Sequence, residues 1–304
     1  MSLVHYTNCP ICGAADIKEV FAVKDHTVSG ESFTVVECIN CSLRFTQDVP
    51  DAASIAPYYK SEDYISHTDT SKGLINRLYR WVRKRTLKKK RKLMENLTGV
   101  KSGHLLDVGS GTGAFVNEMN EHGWQVTGLE PDEGARGVAR KLYNAELKDI
   151  TEFYQLPSDN FDAITLWHVL EHVHELFAYV EQLKKLLKVN GKLFIAVPNY
   201  TSKDAAIYKE YWAAYDVPRH LYHFSPKSMQ VLMEKHGLKL QGYKPMWYDS
   251  FYISMLSSKY KNGKSNLIAA FFNGFRSNLN AMGDVKRCSS VIYVVSPNHP
   301  KEGL

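Results

Sequence analysis

Residues 105–115 read LLDVGSGTGAF, and this stretch decides the fold class of the chain. An apolar run ends in a glycine-rich turn, and the residues after the turn have a helical pattern, so the stretch predicts a strand, a tight loop and a helix. Gly109, Gly111 and Gly113 occupy the loop. Because glycine lacks a Cβ, it adopts positive φ angles and lets a ligand come close to the backbone. The loop is therefore a predicted binding site.

The rest of the chain repeats the alternation of strand and helix. After the strand HLLDVGS, further strands are predicted over WQVTGLE, AELKDI, FDAITLW, NGKLFIAVPN, LKLQGYKPM and SSVIYVVSP. Helices are predicted between most of them, including a long one from 168 to 188. This order is typical of a doubly wound, mostly parallel sheet. We predict an α/β fold, a Rossmann-like doubly wound sheet of seven strands with a small N-terminal module.

The acidic residues around the loop indicate which nucleotide it binds. Glu130 ends the second strand, about 20 residues after the loop, where a carboxylate can accept hydrogen bonds from both ribose hydroxyls. Asp107 lies two residues before Gly109, where it would repel a pyrophosphate but attract an amine or a cation. Gly113 follows Gly111 after one residue, whereas the dinucleotide pattern has two residues there. These features favour S-adenosylmethionine over NAD.

The segments LLDVGSGTG, LEPD and FDAITLWHVLEHV, in this order and spacing, resemble the motifs of class I S-adenosylmethionine-dependent methyltransferases. The resemblance is close over residues 95–200 and looser elsewhere. It implies that Asp107 and the three glycines hold the methionine part and that Glu130 binds the ribose. It further implies that Asp149 meets the adenine amine and that Trp167 and His168 line the pocket. His168 is expected to face the ligand and is counted with the catalytic candidates.

Residues 168–172 also match the zinc-peptidase pattern H-x-x-E-H, with His168, Glu171 and His172. A third metal ligand has no clear candidate downstream, and the segment starts where the methyltransferase motif already uses it. We therefore expect Glu171 and His172 to brace the pocket wall.

Four of the five cysteines form two C-x-x-C pairs near the N-terminus, Cys9 with Cys12 and Cys38 with Cys41. Two such turns supply four thiolates in the closed, tetrahedral set that structural zinc prefers. A module of about 50 residues buries little surface, and a metal ion stabilises it. The sequence predicts a zinc ribbon.

Segment 77–92 holds ten basic and no acidic residues, while the whole chain has a formal charge of +6. The zinc ribbon with this basic helix resembles certain ribosomal RNA guanine methyltransferases. It also resembles sugar C-methyltransferases that act on nucleotide-linked deoxysugars and related small-molecule enzymes. A charge run is more often a solvated helix face, so a small-molecule acceptor is preferred and an RNA acceptor is kept as the alternative.

Residues 216–225 read DVPRHLYHFS and come just before the predicted helix that starts at Ser225-Pro226. In a doubly wound sheet this segment belongs at the edge where ligands bind. The sugar C-methyltransferases carry an acid–histidine pair here, and the histidine matches His220. We expect His220 to act as general base, with Tyr222 and His223 nearby. Arg219 replaces the acid and suggests an anionic group on the substrate.

These inferences divide the chain into a zinc-binding ribbon (1–50), a connector with a basic helix (51–95) and a methyltransferase domain (96–304). Segments 199–224 and 247–283 are expected on the substrate side, the second as a substrate cap, a homodimer surface or core. No apolar run long enough for a membrane span and no signal peptide are found, and a cytoplasmic protein is expected. The alternatives to a small-molecule methyltransferase are an rRNA or tRNA methyltransferase and a non-catalytic module that binds S-adenosylmethionine.

Overall fold

The structure of this chain is a computed structural model that describes residues 2–60 and 74–298, with side chains in the second range from residue 82 onward. Much of the predicted connector, residues 61–73, and the C-terminal residues 299–304 lie outside the described residues. So do the side chains at 77–81 of the basic segment.

Twelve strands are formed by the described residues. They are β1 (Leu3–Val4), β2 (Ile17–Lys24), β3 (Ser32–Cys38), β4 (Arg44–Thr46), β5 (Val49–Pro50), β6 (His104–Val108), β7 (Gln125–Leu129), β8 (Phe161–Trp167), β9 (Leu187–Pro198), β10 (Tyr222–His223), β11 (Leu238–Pro245) and β12 (Ser290–Pro297).

Eight α-helices occur among the same residues. They are α1 (Leu74–Thr98), α2 (Ala114–Asn120), α3 (Glu133–Tyr143), α4 (Leu176–Leu186), α5 (Lys203–Tyr208), α6 (Pro226–Lys235), α7 (Asp249–Asn262) and α8 (Leu267–Gly283). None of the described helices is both long enough and apolar enough to cross a membrane.

The largest sheet has six strands in the order β11-β12-β9-β8-β6-β7, and β6 pairs in parallel with both β7 and β8. The predicted Rossmann-like α/β fold is confirmed. The predicted third strand, AELKDI, is reduced to one parallel bridge between Leu129 and Lys148. The next residue, Asp149, caps a 3₁₀ helix at Ile150–Gln155, so the chain turns away from the sheet after a single pairing.

The second sheet, in the order β10-β4-β3-β2, is antiparallel and joins distant parts of the sequence. Strand β10, from the segment DVPRHLYHFS, pairs with β4, so that Tyr222 lies opposite Phe45 and His223 opposite Arg44. The short strands β1 and β5 pair separately. The four-stranded sheet therefore contains strands from both the predicted ribbon and the predicted substrate-side segment.

The described residues fall into two compact units. The first takes in residues up to 60, 168–179 and 195–294, and the second takes in 74–167, 180–194 and 295–298. In the first unit, Trp212, Tyr215, Val217 and Val35 belong to one buried apolar cluster. The predicted domain boundaries at 50 and 95 stay a prediction.

The predicted helix over 168–188 is wrong in its first part. His168 has φ +60°, a left-handed value that a helix cannot contain, and a 3₁₀ helix at Leu170–His172 follows it. Regular helix starts only with α4. The interruption leaves the side chains of 168–172 free to turn toward a common cluster.

Candidate functional site

The glycine loop between β6 and α2 has the backbone that a ligand-binding turn requires. Gly109, Gly111 and Gly113 have φ values of +71°, +53° and +76°, which other residues adopt only with strain. No heavy atom lies within 4 Å of where a Cβ on Gly111 would stand, so the backbone there is open to a ligand. A Cβ on Gly113 would come within 2.8 Å of Ala139, so this glycine is also needed for packing.

Two buried carboxylates stand at the ends of neighbouring strands beside this loop. Asp107 is 1% exposed and accepts a hydrogen bond of 2.6 Å from the Thr165 hydroxyl. Burial raises the pKa of Asp107 to about 6. Glu130 accepts hydrogen bonds from the backbone N–H groups of Gly111 (2.7 Å) and Asp132 (3.0 Å), and burial raises its pKa as well. Each carboxylate keeps further lone pairs for a ligand.

Trp167 and Asp149 complete the predicted donor residues of the second unit. The Trp167 ring lies edge-on to Phe115 and under the Lys90 ammonium, at 4.1 Å from Nζ to the ring centroid. Its buried Nε1 has no hydrogen-bond partner among the described residues. Asp149 caps a 3₁₀ helix and pairs with Arg136 at 2.8 Å. Its contact with adenine stays a prediction.

These features fit S-adenosylmethionine. The open glycine backbone, the two buried acids and the unpartnered indole N–H are the groups that a sulfonium nucleoside carrying an ammonium and a ribose would use. The residues that could hold this cofactor are Asp107, Gly109, Gly111, Gly113, Glu130 and Trp167.

A second constellation, in the first unit, is built around a buried glutamate. One ligand atom from each of Glu171, His172 and His220 lies within 4.8 Å of the others. Glu171 is 0% exposed, and neither carboxylate oxygen has a hydrogen-bond partner among the described residues. Its ion pair is with His168, whose Nδ1 lies 3.3 Å from Oε1. A buried carboxylate with a single ion-pair partner keeps unused acceptor positions, so this site is suited to a proton donor or a cation.

The backbone assigns the tautomers of both histidines in this cluster. His172 Nδ1 lies 3.0 Å from the Arg219 carbonyl, and His220 Nδ1 lies 2.9 Å from the Ala214 carbonyl. Because a carbonyl oxygen only accepts, each Nδ1 carries the proton. In the neutral ring the lone pair is then on Nε2, where it can bind a metal ion or take a proton from a ligand.

Charges in the cluster are set by burial and by neighbouring carboxylates. Burial, together with the neighbouring His220, lowers the pKa of His172 to about 4 and keeps it neutral. For His168, the carboxylates of Asp249 and Glu171 outweigh burial and raise the pKa to about 9. Although burial opposes it, His168 also holds the pKa of Glu171 below its usual value. His168 and Glu171 are therefore a charged pair beside neutral His172.

The structure places three other residues of DVPRHLYHFS in structural roles. Arg219 is 2% exposed and donates to Asp25, Asp216 and the Tyr58 carbonyl. Its guanidinium is thus engaged within the protein, which corrects the expectation that it binds an anionic substrate group.

Tyr222 and His223, expected near the base, lie in β10 of the small sheet. The Tyr222 hydroxyl donates to the His174 carbonyl, and His223 Nε2 contacts the Thr46 hydroxyl at 3.1 Å. Burial holds the pKa of His223 well below its usual value. These two side chains support the strand, and catalytic roles for them stay predictions.

The four ribbon cysteines converge in the first unit. Sγ of Cys9 lies 3.5 Å from that of Cys41, Sγ of Cys12 lies 3.4 Å from that of Cys38, and all four fall within 4.8 Å of one another. Sulfurs around a tetrahedral zinc with bonds of ~2.3 Å are about 3.8 Å apart. The cluster is close to this spacing and could hold such an ion.

The parallel sheet, the glycine loop and the two buried acids define a class I S-adenosylmethionine-dependent methyltransferase. Comparison with known families agrees, because the model of the family described as "Methyltransferase domain" matches residues 79–242. This is more than half of the chain, and the chain belongs to that family.

Among curated relatives, the ubiquinone biosynthesis O-methyltransferase of Nitrosococcus oceani is 30% identical over 186 residues, which are 56% of this chain and 76% of that protein. The human mitochondrial ubiquinone biosynthesis O-methyltransferase is 28% identical over 164 residues. The human match covers 48% of this chain, and the chain spans only 44% of the human protein.

Solved structures show the same fold at low identity. The magnesium protoporphyrin IX methyltransferase from Synechocystis PCC 6803 has a TM-score of 0.52 and 13% identity, covering 81% of this chain and 100% of that one. The Burkholderia thailandensis 1,6-didemethyltoxoflavin-N1-methyltransferase has a TM-score of 0.51 and 12% identity, covering 91% and 100%. At these identities the likeness concerns the fold alone.

Glu171 and Asp249, the two carboxylates that pair with His168, are not among the site residues predicted from the sequence. Two carboxylates lie near His220 in space: Glu171, within 4.8 Å, and Asp216, whose Oδ2 is 3.9 Å from His220 Nε2. The signal was present in the discarded H-x-x-E-H pattern, whose glutamate and last histidine both join the cluster. Asp249, which binds His168 at 3.1 Å, had no sequence signal.

Proposed function

We propose that the chain transfers a methyl group from S-adenosylmethionine to a hydroxyl group of a small-molecule acceptor, with His220 as the general base. The acceptor chemistry follows the curated relatives, which are named as O-methyltransferases of ubiquinone biosynthesis. Nucleotide-linked sugars are the second small-molecule class, because the segment around His220 resembles sugar C-methyltransferases.

The donor residues are proposed to be those of the glycine loop. Bound S-adenosylmethionine supplies an electrophilic methyl group on a positively charged sulfur. Asp107 would neutralise the ammonium of the methionine part, and Glu130 would accept hydrogen bonds from the ribose. The open backbone at Gly111 leaves room for the close approach that these contacts need.

The observation that carries the proposal is the fully buried Glu171, whose ion pair is with His168, within 4.8 Å of His172 and His220, each of which donates from Nδ1 to a backbone carbonyl. His220 Nε2 would take the proton of the acceptor hydroxyl as the oxygen becomes nucleophilic. Glu171 would stabilise the imidazolium that results, because an anion close to a developing cation lowers its energy. His168, already charged and paired with Asp249, would keep the net charge of the cluster low.

The predicted zinc ion is carried forward as part of this proposal. Cys9, Cys12, Cys38 and Cys41 are all free thiols with the spacing of a closed metal site. We assign the ion a structural role, because a Cys₄ set leaves no open position for a substrate.

The test is a labelled-methyl transfer assay with three acceptor pools: hydroxylated phenols related to quinones, nucleotide-linked sugars and total RNA. We expect transfer to a small molecule, and we expect His220→Asn to lower turnover by about a hundredfold or more. Asparagine retains an N–H for the Ala214 carbonyl and lacks the basic Nε2. Donor affinity, measured by calorimetry, should not change.

His236→Asn is the matched control. His236 is also buried, and its Nδ1 also donates to a backbone carbonyl, that of Leu232. Full turnover in His220→Asn would exclude His220 as the base. Transfer to RNA alone would favour the RNA alternative, and donor binding without transfer to any pool would favour a non-catalytic module. Loss of turnover on brief chelation that leaves the zinc of the four cysteines in place, restored by a divalent ion, would show that the cluster of Glu171, His172 and His220 works through a metal.

A further inference from the structure

Helix α8 presents its large apolar side chains to solvent and its small ones to the protein. Ala270, Gly274, Ser277 and Ala281 are buried, each three or four residues from the next, so they share one face. A Cβ on Gly274 would lie 2.9 Å from the Phe251 ring, so α7 and α8 are in close contact there. The opposite face carries the exposed side chains Ile268, Phe271, Phe272, Phe275, Leu279 and Met282.

Six large apolar side chains are exposed on this one face of the helix. Ile268 is 74% exposed and Met282 is 73% exposed, while the three phenylalanines are about half exposed or more. Monomeric proteins rarely expose contiguous apolar patches of more than a few hundred Å², and larger ones mark sites of interaction. The helix is also firmly fixed from behind, because Ser277 donates to Asp204 and Asn278 donates to the Trp247 carbonyl.

The charged residues around this apolar face indicate which kind of partner it would bind. Residues 250–283 include four basic residues and no acidic one, the basic ones being Lys259, Lys261, Lys264 and Arg276. All four are exposed, and none forms an ion pair with another described residue. Of the flanking acids, Asp249 is bound to His168, and Asp284 accepts from the Lys286 backbone and contacts Arg287. The positive charge is therefore not neutralised locally.

A second copy of this chain fits such a face poorly. In a two-fold dimer the same patch meets itself, so the four basic residues of each copy would enter one interface to which 250–283 brings no acidic residue. A membrane surface with anionic headgroups fits both features. A helix with a broad apolar face and Lys or Arg around it lies in the plane of the interface, with its apolar side chains in the acyl boundary. At 17 residues, α8 is about 25 Å long, which suits that orientation.

We propose that α8, with the lysines of the α7–α8 loop, is a docking surface for anionic lipid membranes. The inference does not depend on the proposed methyl acceptor, because it concerns a surface and not the reaction.

The experiment is vesicle sedimentation of the full chain with phosphatidylcholine alone and with phosphatidylcholine containing phosphatidylglycerol. We expect binding to the anionic vesicles that weakens as salt is raised. Phe271→Ser combined with Phe272→Ser should lower the partition coefficient about tenfold or more, because two phenyl rings leave the acyl boundary. Changing Lys259, Lys261 and Lys264 to Gln should remove the preference for phosphatidylglycerol.

Leu279→Ser and Leu142→Ser form a matched pair, since both leucines are on helices and both are 51% exposed. Only Leu279→Ser should weaken binding, and thermal melts should show that all variants are folded. Equal loss in both variants, or no sedimentation with either vesicle at low salt, would overturn the proposal. A different result would also overturn it: light scattering shows a dimer, the double change Phe271→Ser and Phe272→Ser dissociates that dimer, and neither the wild type nor the variant binds vesicles.

Discussion

Glu171 shows how a single side chain can depend on its surroundings for its chemistry. Its carboxylate is fully buried, and its ion pair with His168 at 3.3 Å holds its pKa below the usual value although burial opposes this. An anion in such a place is costly, and proteins keep such groups mainly where a ligand or a proton completes them. This cost is the physical reason for placing acceptor chemistry at the cluster of Glu171, His172 and His220.

Replacing Asp107 is expected to change the stability of the fold and the affinity for the methyl donor in opposite directions. Its pKa is raised to about 6 from 3.8, so its contribution to folding is present below 3.8 and is lost as the pH rises through 6. Asp107→Asn should therefore stabilise the donor-free protein above pH 7, by up to about 3 kcal/mol, in urea unfolding. It should weaken donor binding about tenfold to a hundredfold in calorimetry.

The pH dependence follows from the same carboxylate. A cationic donor needs ionised Asp107, so affinity in the wild type should rise as the pH increases through about 6. In Asp107→Asn this rise should disappear. A variant that binds the donor as tightly as the wild type at pH 7 would show that Asp107 does not contact the methionine part.

Replacing Arg219 is expected to lower the free energy of unfolding strongly. Replacing it with methionine leaves Asp25 and Asp216 without their guanidinium partner, and Asp25 is fully buried. Breaking a buried pair in this way costs about 3–5 kcal/mol. The same change at Arg287, whose pair with Asp284 is exposed, should cost about 0–1 kcal/mol in the same urea titration. Comparable losses in both variants would contradict the structural role of Arg219.

At the scale of elements, the small sheet connects the cysteine ribbon to the histidine segment. Strand β4 follows the second cysteine pair and bonds to β10, which comes directly after His220 and Leu221. The Thr46 hydroxyl donates to the His220 carbonyl at 2.8 Å. His220 is therefore held in part by the strand that follows the ribbon, and under the proposed function we expect the metal site to affect turnover indirectly.

Removing the metal should reveal this dependence. We expect purified protein to contain one zinc ion per chain by atomic absorption, and Cys41→Ser to contain little or none. The variant should melt at a lower temperature and lose turnover, while its donor affinity changes little, because the glycine loop belongs to the other unit. Cys288→Ser, a change at a buried lone thiol, should keep its zinc. Full turnover in metal-free protein would separate the ribbon from catalysis.

Elements that local signals specify were predicted well. Helix α6 has the expected Ser225 cap, in fact a capping box with Ser228, and Pro226 in its first turn. The basic helix predicted for the connector is α1, at Leu74–Thr98. The helix predicted over 168–172 is wrong because apolar periodicity does not reveal the left-handed backbone of His168. In the structure, the His168 side chain contacts Asp249 and Glu171.

At the scale of the whole molecule, the structure shows that part of the basic segment 77–92 makes contacts within the protein. The described side chains of α1 include Arg83, which donates to Thr112, Lys90, which lies over Trp167, and Arg91, which pairs with Glu95 and Glu118. These contacts use part of the charge within the second unit. They weaken the argument for RNA, which stays the alternative acceptor.

The sequence by itself determined the features that depend on neighbours along the chain. The strand–glycine–helix unit, the order of strands, the acids at the strand ends and the two C-x-x-C turns are all local patterns, and local backbone preferences are enough to form them. The fold class could therefore be predicted from the sequence alone.

Only the tertiary structure decided which distant residues act together. In the structure β10 pairs with β4, and the Arg219 guanidinium pairs with Asp25. Glu171 lies near His220, and the large side chains of α8 are exposed. Each of these depends on burial and on contacts between residues far apart in the chain. Such contacts leave no periodic signal in the sequence, because either partner alone has the pattern of an ordinary strand, loop or helix.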